Sequence, residues 1–125
     1  MNNNLEESIS LVKEVLSEIP KKGVEIVFAP SYIFLHKIVH VCKEFKNVFV
    51  SSQDCSEIEK GAYTGDVSAS MIKSCNVSYV ILGHSERRNR YSETNQKIKQ
   101  KVNTALLNDL KVILCCGETI EQREK

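Results

Sequence analysis

The chain has 125 residues, 42% of them hydrophobic, enough for one packed core and short for two. Seventeen basic side chains against sixteen acidic ones leave a formal net charge of +1, which excludes a global field for nucleic acid or an anionic membrane. No apolar run reaches the ~18 residues of a membrane helix, and the opening MNNNLEESIS lacks a signal's basic and apolar regions, so a cytoplasmic location is expected.

Leu5, Ile9, Val12 and Leu16 recur at helical spacing, with Asn3 or Asn4 as a cap, Glu6 and Glu7 in the first turn and Pro20 beyond the end. VEIVFAP (24–30) is a continuous apolar run stopped by proline, the pattern of a strand buried on both faces. Phe34 or Leu35, Ile38, Val41, Cys42 and Phe45 then form a helical stripe through 32–46, and NVFVSSQ (47–53) is a second strand. A long polar loop, DCSEIEKGAYTGDVSA, leads to a short helix near 68–75; loops of this length in compact domains tend to carry function. VSYVILG (77–83) is the third strand. Ile98, Val102, Ala105 and Leu106 define a helix through 94–108, KVILCCG (111–117) is the fourth strand, and ETIEQREK starts another helix.

Five cysteines, Cys42, Cys55, Cys75, Cys115 and Cys116, are an odd number without CxxC spacing, which argues against a disulfide framework or a zinc ribbon. Reduced, mostly buried thiols are expected. With no linker or low-complexity tract, residues 1–125 read as a single domain.

Apolar strands alternating with helices imply a parallel sheet with right-handed crossovers, which both doubly wound sheets and (β/α)8 barrels satisfy. A doubly wound small-molecule binder would need a glycine-rich phosphate loop after the first strand, and FAPSYIF has none. Opening on a helix and closing as one begins, the chain reads like a segment of a longer alternation.

In parallel α/β folds the ligand site lies beyond the carboxyl ends of the strands. Of the four strand ends only Gly83-His84-Ser85-Glu86-Arg87-Arg88 has the density of a site. Gly83 lets the backbone turn, while Ser85 and Glu86 suit the first turn of a short helix, whose dipoles oppose a protonated imidazole at His84. A neutral ring there can donate an N–H to a carbonyl oxygen. Spacing alone leaves open a capped helix start with a solvated charge run.

Read together, GAYTGDVSA, YVILGHSERR and KVILCCGETIEQRE, in that order and at these separations, resemble the triosephosphate isomerase family across essentially the whole chain. The resemblance implies part of a (β/α)8 TIM barrel, with this chain supplying the second to fifth strands and lacking the first strand and the sixth to eighth βα units. It implies interconversion of dihydroxyacetone phosphate and D-glyceraldehyde 3-phosphate through an enediolate, in glycolysis and gluconeogenesis, without cofactor or metal. His84 then matches the family's catalytic histidine, a neutral electrophile by a role that comes with the resemblance. Glu86 matches the glutamate that orients the site, beside Ser85, and Cys115 the cysteine packed behind the catalytic residues. Tyr63, Thr64, Gly65 and Asp66 match the loop that enters a partner subunit in a homodimer; the alternative is a mobile surface loop.

The family's substrate-binding asparagine and lysine, its general-base glutamate, its lid and its phosphate loops have no counterpart in these residues. The expectation is therefore an electrophile without its base, inactive alone. A non-catalytic partial barrel, assembling with itself or with a complementary chain, is the competing reading. Three positions depart from the family pattern: Asp54 replaces an asparagine, Asp66 a glutamate that can pair with Arg87 at the subunit interface, and Ser92 a glycine, straining the turn if φ there is positive.

His36 and His40, four apart on a helix, could reach one metal ion but have no third ligand. ERRNR reads as a salt-bridge cluster, since no aromatic platform accompanies it for nucleic acid. Ser85 has no histidine–acid pair behind it and is not read as a nucleophile.

Overall fold

Helix α1 (Leu5–Glu18) begins at a reciprocal cap in the computed structural model, which describes residues 2–19, 23–118 and 120–124. The Asn4 side chain accepts the Glu7 N–H at 3.0 Å and the Glu7 carboxylate accepts the Asn4 N–H at 2.8 Å, choosing Asn4 over Asn3 and satisfying two otherwise orphan donors. The helix buries Ser8, Val12 and Leu16, and Pro20 lies outside the described residues.

Four parallel strands follow in the order β1 (Ile26–Phe28), β2 (Val48–Ser52), β3 (Tyr79–Leu82) and β4 (Lys111–Leu114), each paired with the next in sequence. A 3₁₀ turn at Tyr32–Phe34 opens the first crossover and runs into α2 (Leu35–Cys42), so the stripe expected through 32–46 ends early and Phe45 packs from a loop. The second crossover carries the long loop and α3 (Ala69–Ser74), capped by Ser68. The third carries α4 (Ser85–Arg90) and α5 (Asn95–Leu107), the latter capped by Thr94. A short α6 (Ile120–Arg123) follows β4.

The core lies on one face of the sheet. Val48, Val50, Val80 and Leu82 alternate toward the helices and meet Val12, Leu16, Leu35, Ile38, Ile72, Ala105 and Leu110. Burying each larger aliphatic stabilises by about 1.5–3 kcal/mol. The intervening residues Val27, Phe49, Tyr79, Ile81 and Ile113 point to the opposite face, where no helix lies among the described residues.

That asymmetry corrects two expectations. VEIVFAP was expected to be buried on both faces, yet β1 is only half-buried throughout. KVILCCG is a strand only over Lys111–Leu114, and Ile113 and Leu114 are 38% and 54% exposed. Both strands sit at sheet edges, so the side-chain pattern anticipates cover that these residues do not supply. The thiols follow the same logic. All five are free, but only Cys42 and Cys55 are buried; Cys75 and Cys115 are half-buried and Cys116 is exposed. No helix among the described residues is long and apolar enough to cross a membrane.

Candidate functional site

The turn after β3 depends on Gly83. Its φ is +75°, and a Cβ there would stand 2.9 Å from Arg88 Nη2 and 3.2 Å from the Cys115 carbonyl oxygen. Any side chain would therefore meet both left-handed strain and a backbone atom. His84 follows as the cap of α4, its Nδ1 accepting the Glu86 N–H at 3.3 Å. That acceptance puts the proton of the neutral ring on Nε2. Glu86 Oε2 lies 3.8 Å from the same Nδ1, and both side chains are largely solvent-facing, 48% and 75% exposed. Ser85, also exposed, opens the helix.

Cys115 joins this site through its backbone. Its N–H donates to the Leu82 carbonyl at 2.8 Å, and its own carbonyl accepts Arg88 Nη2 at 3.3 Å. Arg88 also donates Nε to the Gly83 carbonyl at 2.7 Å and Nη1 to Asn95 Oδ1 at 2.7 Å. One guanidinium thus fastens the carboxyl ends of β3 and β4 together. The ERRNR run is a salt-bridge cluster only at Arg87; Arg88 spends two of its bonds on backbone carbonyls, a use that a charge count does not distinguish.

Beneath the turn lies a buried ionic cluster. Lys101 Nζ donates to Asp54 Oδ1 and Oδ2 at 2.9 and 2.7 Å and to Glu93 Oε1 at 2.5 Å, with its side chain 2% exposed. Arg87 completes it, with Nη2 2.8 Å from Asp54 Oδ2 and Nε 2.9 Å from Glu93 Oε1, and stacks over Tyr91. Two cations therefore meet two carboxylates. Burial lifts the Asp54 carboxyl above its usual range despite both cations; at Glu93 burial pushes the same way, but Lys101 and Arg87 outweigh it and hold the carboxyl low. Burial, then the Asp54 charge, raises the neighbouring Cys55 thiol to about 12 and the Tyr32 phenol above its ordinary value. The sequence reading assigned no role to Lys101 or Glu93. A signal existed: Lys101 stands three residues after Ile98 and four before Ala105, on the buried stripe of α5.

Arg87 is engaged inside the chain. Asp66, expected as its interface partner, accepts the Ser56 hydroxyl at 3.1 Å and braces its own loop. Tyr63, Thr64, Gly65 and Asp66 are all exposed at the loop tip, where the Asp66 N–H closes a turn on the Tyr63 carbonyl at 3.0 Å. The Ser56 N–H bonds the Val67 carbonyl at the neck, and Thr104 and Lys97 of α5 hold Glu57. Only the tip projects freely.

The other histidines lie elsewhere. His40 lines a groove of about 620 Å³ between α1 and α2 with Lys13, Leu16, Lys37 and Phe45, on the helix side of the sheet and away from His84. Among the described residues no three His, Cys, Asp or Glu side chains converge as a metal site requires.

A parallel four-stranded α/β sheet, with a capped histidine turn beyond its carboxyl edge, is the class of protein that this geometry defines. A sequence model of the triosephosphate isomerase family matches residues 1–125. The triosephosphate isomerases of Cytophaga hutchinsonii and Clostridium acetobutylicum are 44% and 40% identical over 99% of this chain. The chain spans about half the length of these curated relatives, 50% in both cases. A crystal structure of triosephosphate isomerase from Bartonella henselae, 31% identical, superposes with a TM-score of 0.91 over 99% of this chain and 52% of that one. The chain belongs to the triosephosphate isomerase family, and its fold is part of a TIM barrel.

Proposed function

We propose that residues 1–125 are a single unit supplying the second to fifth strands of a triose-phosphate isomerase barrel, without the first strand and the sixth to eighth βα units. In the complete barrel the reaction is the interconversion of dihydroxyacetone phosphate and D-glyceraldehyde 3-phosphate, with no cofactor, in the cytoplasm. The observation that carries this reading is the His84 ring, half-exposed beyond the sheet and holding Nδ1 against the Glu86 N–H. Nε2–H is left to polarise a carbonyl and to stabilise the enediolate oxygen as charge develops.

Other groups serve that ring. Ser85 and Glu86 build the turn that orients it, Arg88 fixes the carbonyl just before it, and Cys115 packs behind. The loop tip at Tyr63, Thr64, Gly65 and Asp66 contacts the second subunit of a homodimer. A proton must still leave one carbon and reach another. Asp54 and Glu93 are locked to Lys101 and Arg87, and the Glu86 carboxylate, largely solvent-facing, stands on the same turn as the His84 ring that its N–H holds, so the base is assigned to a part of the barrel other than residues 1–125. Turnover by the 125-residue chain alone is therefore negligible.

Two assays test this reading. A coupled isomerase assay on the isolated chain giving a rate within about tenfold of ordinary enzymes would overturn the division of labour. In a chimera where residues 1–125 replace the corresponding half of the Clostridium acetobutylicum relative, activity is expected. His84→Gln in that chimera is expected to lower kcat about 10²–10³-fold, as for loss of one oxyanion donor. Unchanged turnover would remove His84 from the reaction.

A further inference from the structure

Helix α2 carries two side chains that neither the core nor the proposed reaction uses. His36 and His40 are both exposed, while Leu35, Ile38 and Cys42 of the same helix are buried. A separation of four residues sets the two rings one turn apart on the solvent side of α2, with Cβ atoms about 5–6 Å apart. Helical side chains lean toward the amino end, which brings the His40 ring within reach of His36. We propose that His36 and His40 together chelate one divalent transition-metal ion, each through an imidazole nitrogen.

Two observations make the pair a chelate and not a structural contact. Neither ring has a hydrogen bond or an ion pair among the described residues, so no partner there holds either imidazole. The helix beneath them is fixed. Ile38 is fully buried, Leu35 and Cys42 are each 3% exposed, and α2 packs on β2 with α1 beside it, which holds the backbone that sets the ring separation. As the crossover from β1 to β2, α2 lies within the helix layer and away from the open edges of the sheet.

The surroundings select the ion. Glu44, one turn beyond His40, pairs with Lys43 at 3.7 Å and does not join the rings, while the nearby Lys37 and Lys13, which line the groove with His40, are cations. Mg²⁺ and Ca²⁺, which require oxygen ligands, find none here. The ion must draw its affinity from imidazole nitrogen, and along the divalent first-row series that affinity rises to Ni²⁺ and Cu²⁺. With no third protein ligand converging, water fills the remaining positions. The ion is therefore exchangeable, unlike one locked in a closed four-ligand site.

Ni²⁺ is the probe, because Cu²⁺ also oxidises thiols such as the exposed Cys116. Calorimetric titration of NiCl₂ into the 125-residue chain is expected to show one ion bound per chain, with Mg²⁺ failing to compete. His36→Gln and His40→Gln should each weaken binding about tenfold or more, since a single ring loses the advantage of two linked ligands. The double variant should lose little beyond either single one. Ni²⁺ should also raise the melting temperature of the parent and not of the variants, because the pair is assembled only in the folded helix. Both positions face solvent, so circular dichroism should find every variant folded, and the same losses are expected in the chimera. No uptake by the parent would overturn the site. Binding unchanged in both single variants would assign the ion to a thiol or to His84 instead, and additive losses would mean two rings acting separately. The pair stands apart from His84, so none of these outcomes bears on the isomerase reading.

Discussion

Lys101 and Asp54 meet across 47 positions of sequence, the Lys101 ammonium lying 2.9 and 2.7 Å from the two Asp54 oxygens, with both side chains buried. Glu93 shares that ammonium, yet the two carboxyls shift in opposite directions. The folded Glu93 pKa lies below its unfolded value, so its contribution is present at neutral pH and is lost as pH falls below about 4.5. The folded Asp54 pKa lies above its unfolded value, so its contribution is present in acid and is lost as pH rises through the folded value.

Both amide substitutions should lower the melting temperature at neutral pH. Asp54→Asn and Glu93→Gln each leave Lys101 and Arg87 one carboxylate short, the loss of a charged buried acceptor worth about 1–3 kcal/mol, or about 4–10 °C. Calorimetry at pH 7 checks the pair. An unchanged melting temperature in either variant would show that its carboxylate does not hold the buried cations.

Removing the shared cation is a harsher test. Lys101→Met leaves two buried carboxylates to Arg87 alone, and breaking a buried pair in this way costs about 3–5 kcal/mol. The unpaired carboxyls then bind protons more tightly in the folded chain than in the unfolded one. Denaturant melts should show the variant gaining stability, relative to the parent, as pH is lowered from 7 toward 5. A parallel pH dependence in both proteins would show that Lys101 does not govern these carboxylates.

Much of this architecture was legible in the sequence, for identifiable reasons. Solid apolar runs at Val80–Leu82 and Val112–Leu114, bracketed by helical stripes, specified parallel strands, because only strands flanked by helices need that pattern. Gly83-His84-Ser85 announced its turn because glycine before a capped helix has few other uses. Burial of VEIVFAP on both faces was over-read, since the burial of a strand depends on neighbours that the described residues do not supply. The ionic cluster was missed because a lysine in a helix is normally solvated. Only the positions of Ile98 and Ala105 around Lys101 betray its direction. Arg88 was misread because its carbonyl partners, Gly83 and Cys115, follow different strands and carry no sequence signature.

Gly83 allows a sharp steric prediction. Gly83→Ala should destabilise by roughly 1–3 kcal/mol, from an alanine held at φ +75°. The Arg88 end can yield to a new Cβ, but the Cys115 carbonyl at 3.2 Å belongs to a paired strand and has less freedom. A urea midpoint shift with unchanged slope would register the loss. No shift would mean that the strand ends adjust without cost.

Ser92 carries the opposite prediction. Its φ is +52°, a left-handed conformation that costs a residue with a Cβ about 1–2 kcal/mol. It ends the turn between Tyr91 and Glu93, and Glu93 is fixed by Arg87 and Lys101, so the backbone cannot relax without moving the ionic cluster. Ser92→Gly removes that strain but frees the unfolded chain, which returns about 0.5–1 kcal/mol of the gain. The net expectation is a stabilisation of about 0.5–1 kcal/mol, a rise of a few degrees in melting temperature. A fall instead would show that Ser92 is held at positive φ by interactions worth more than its strain.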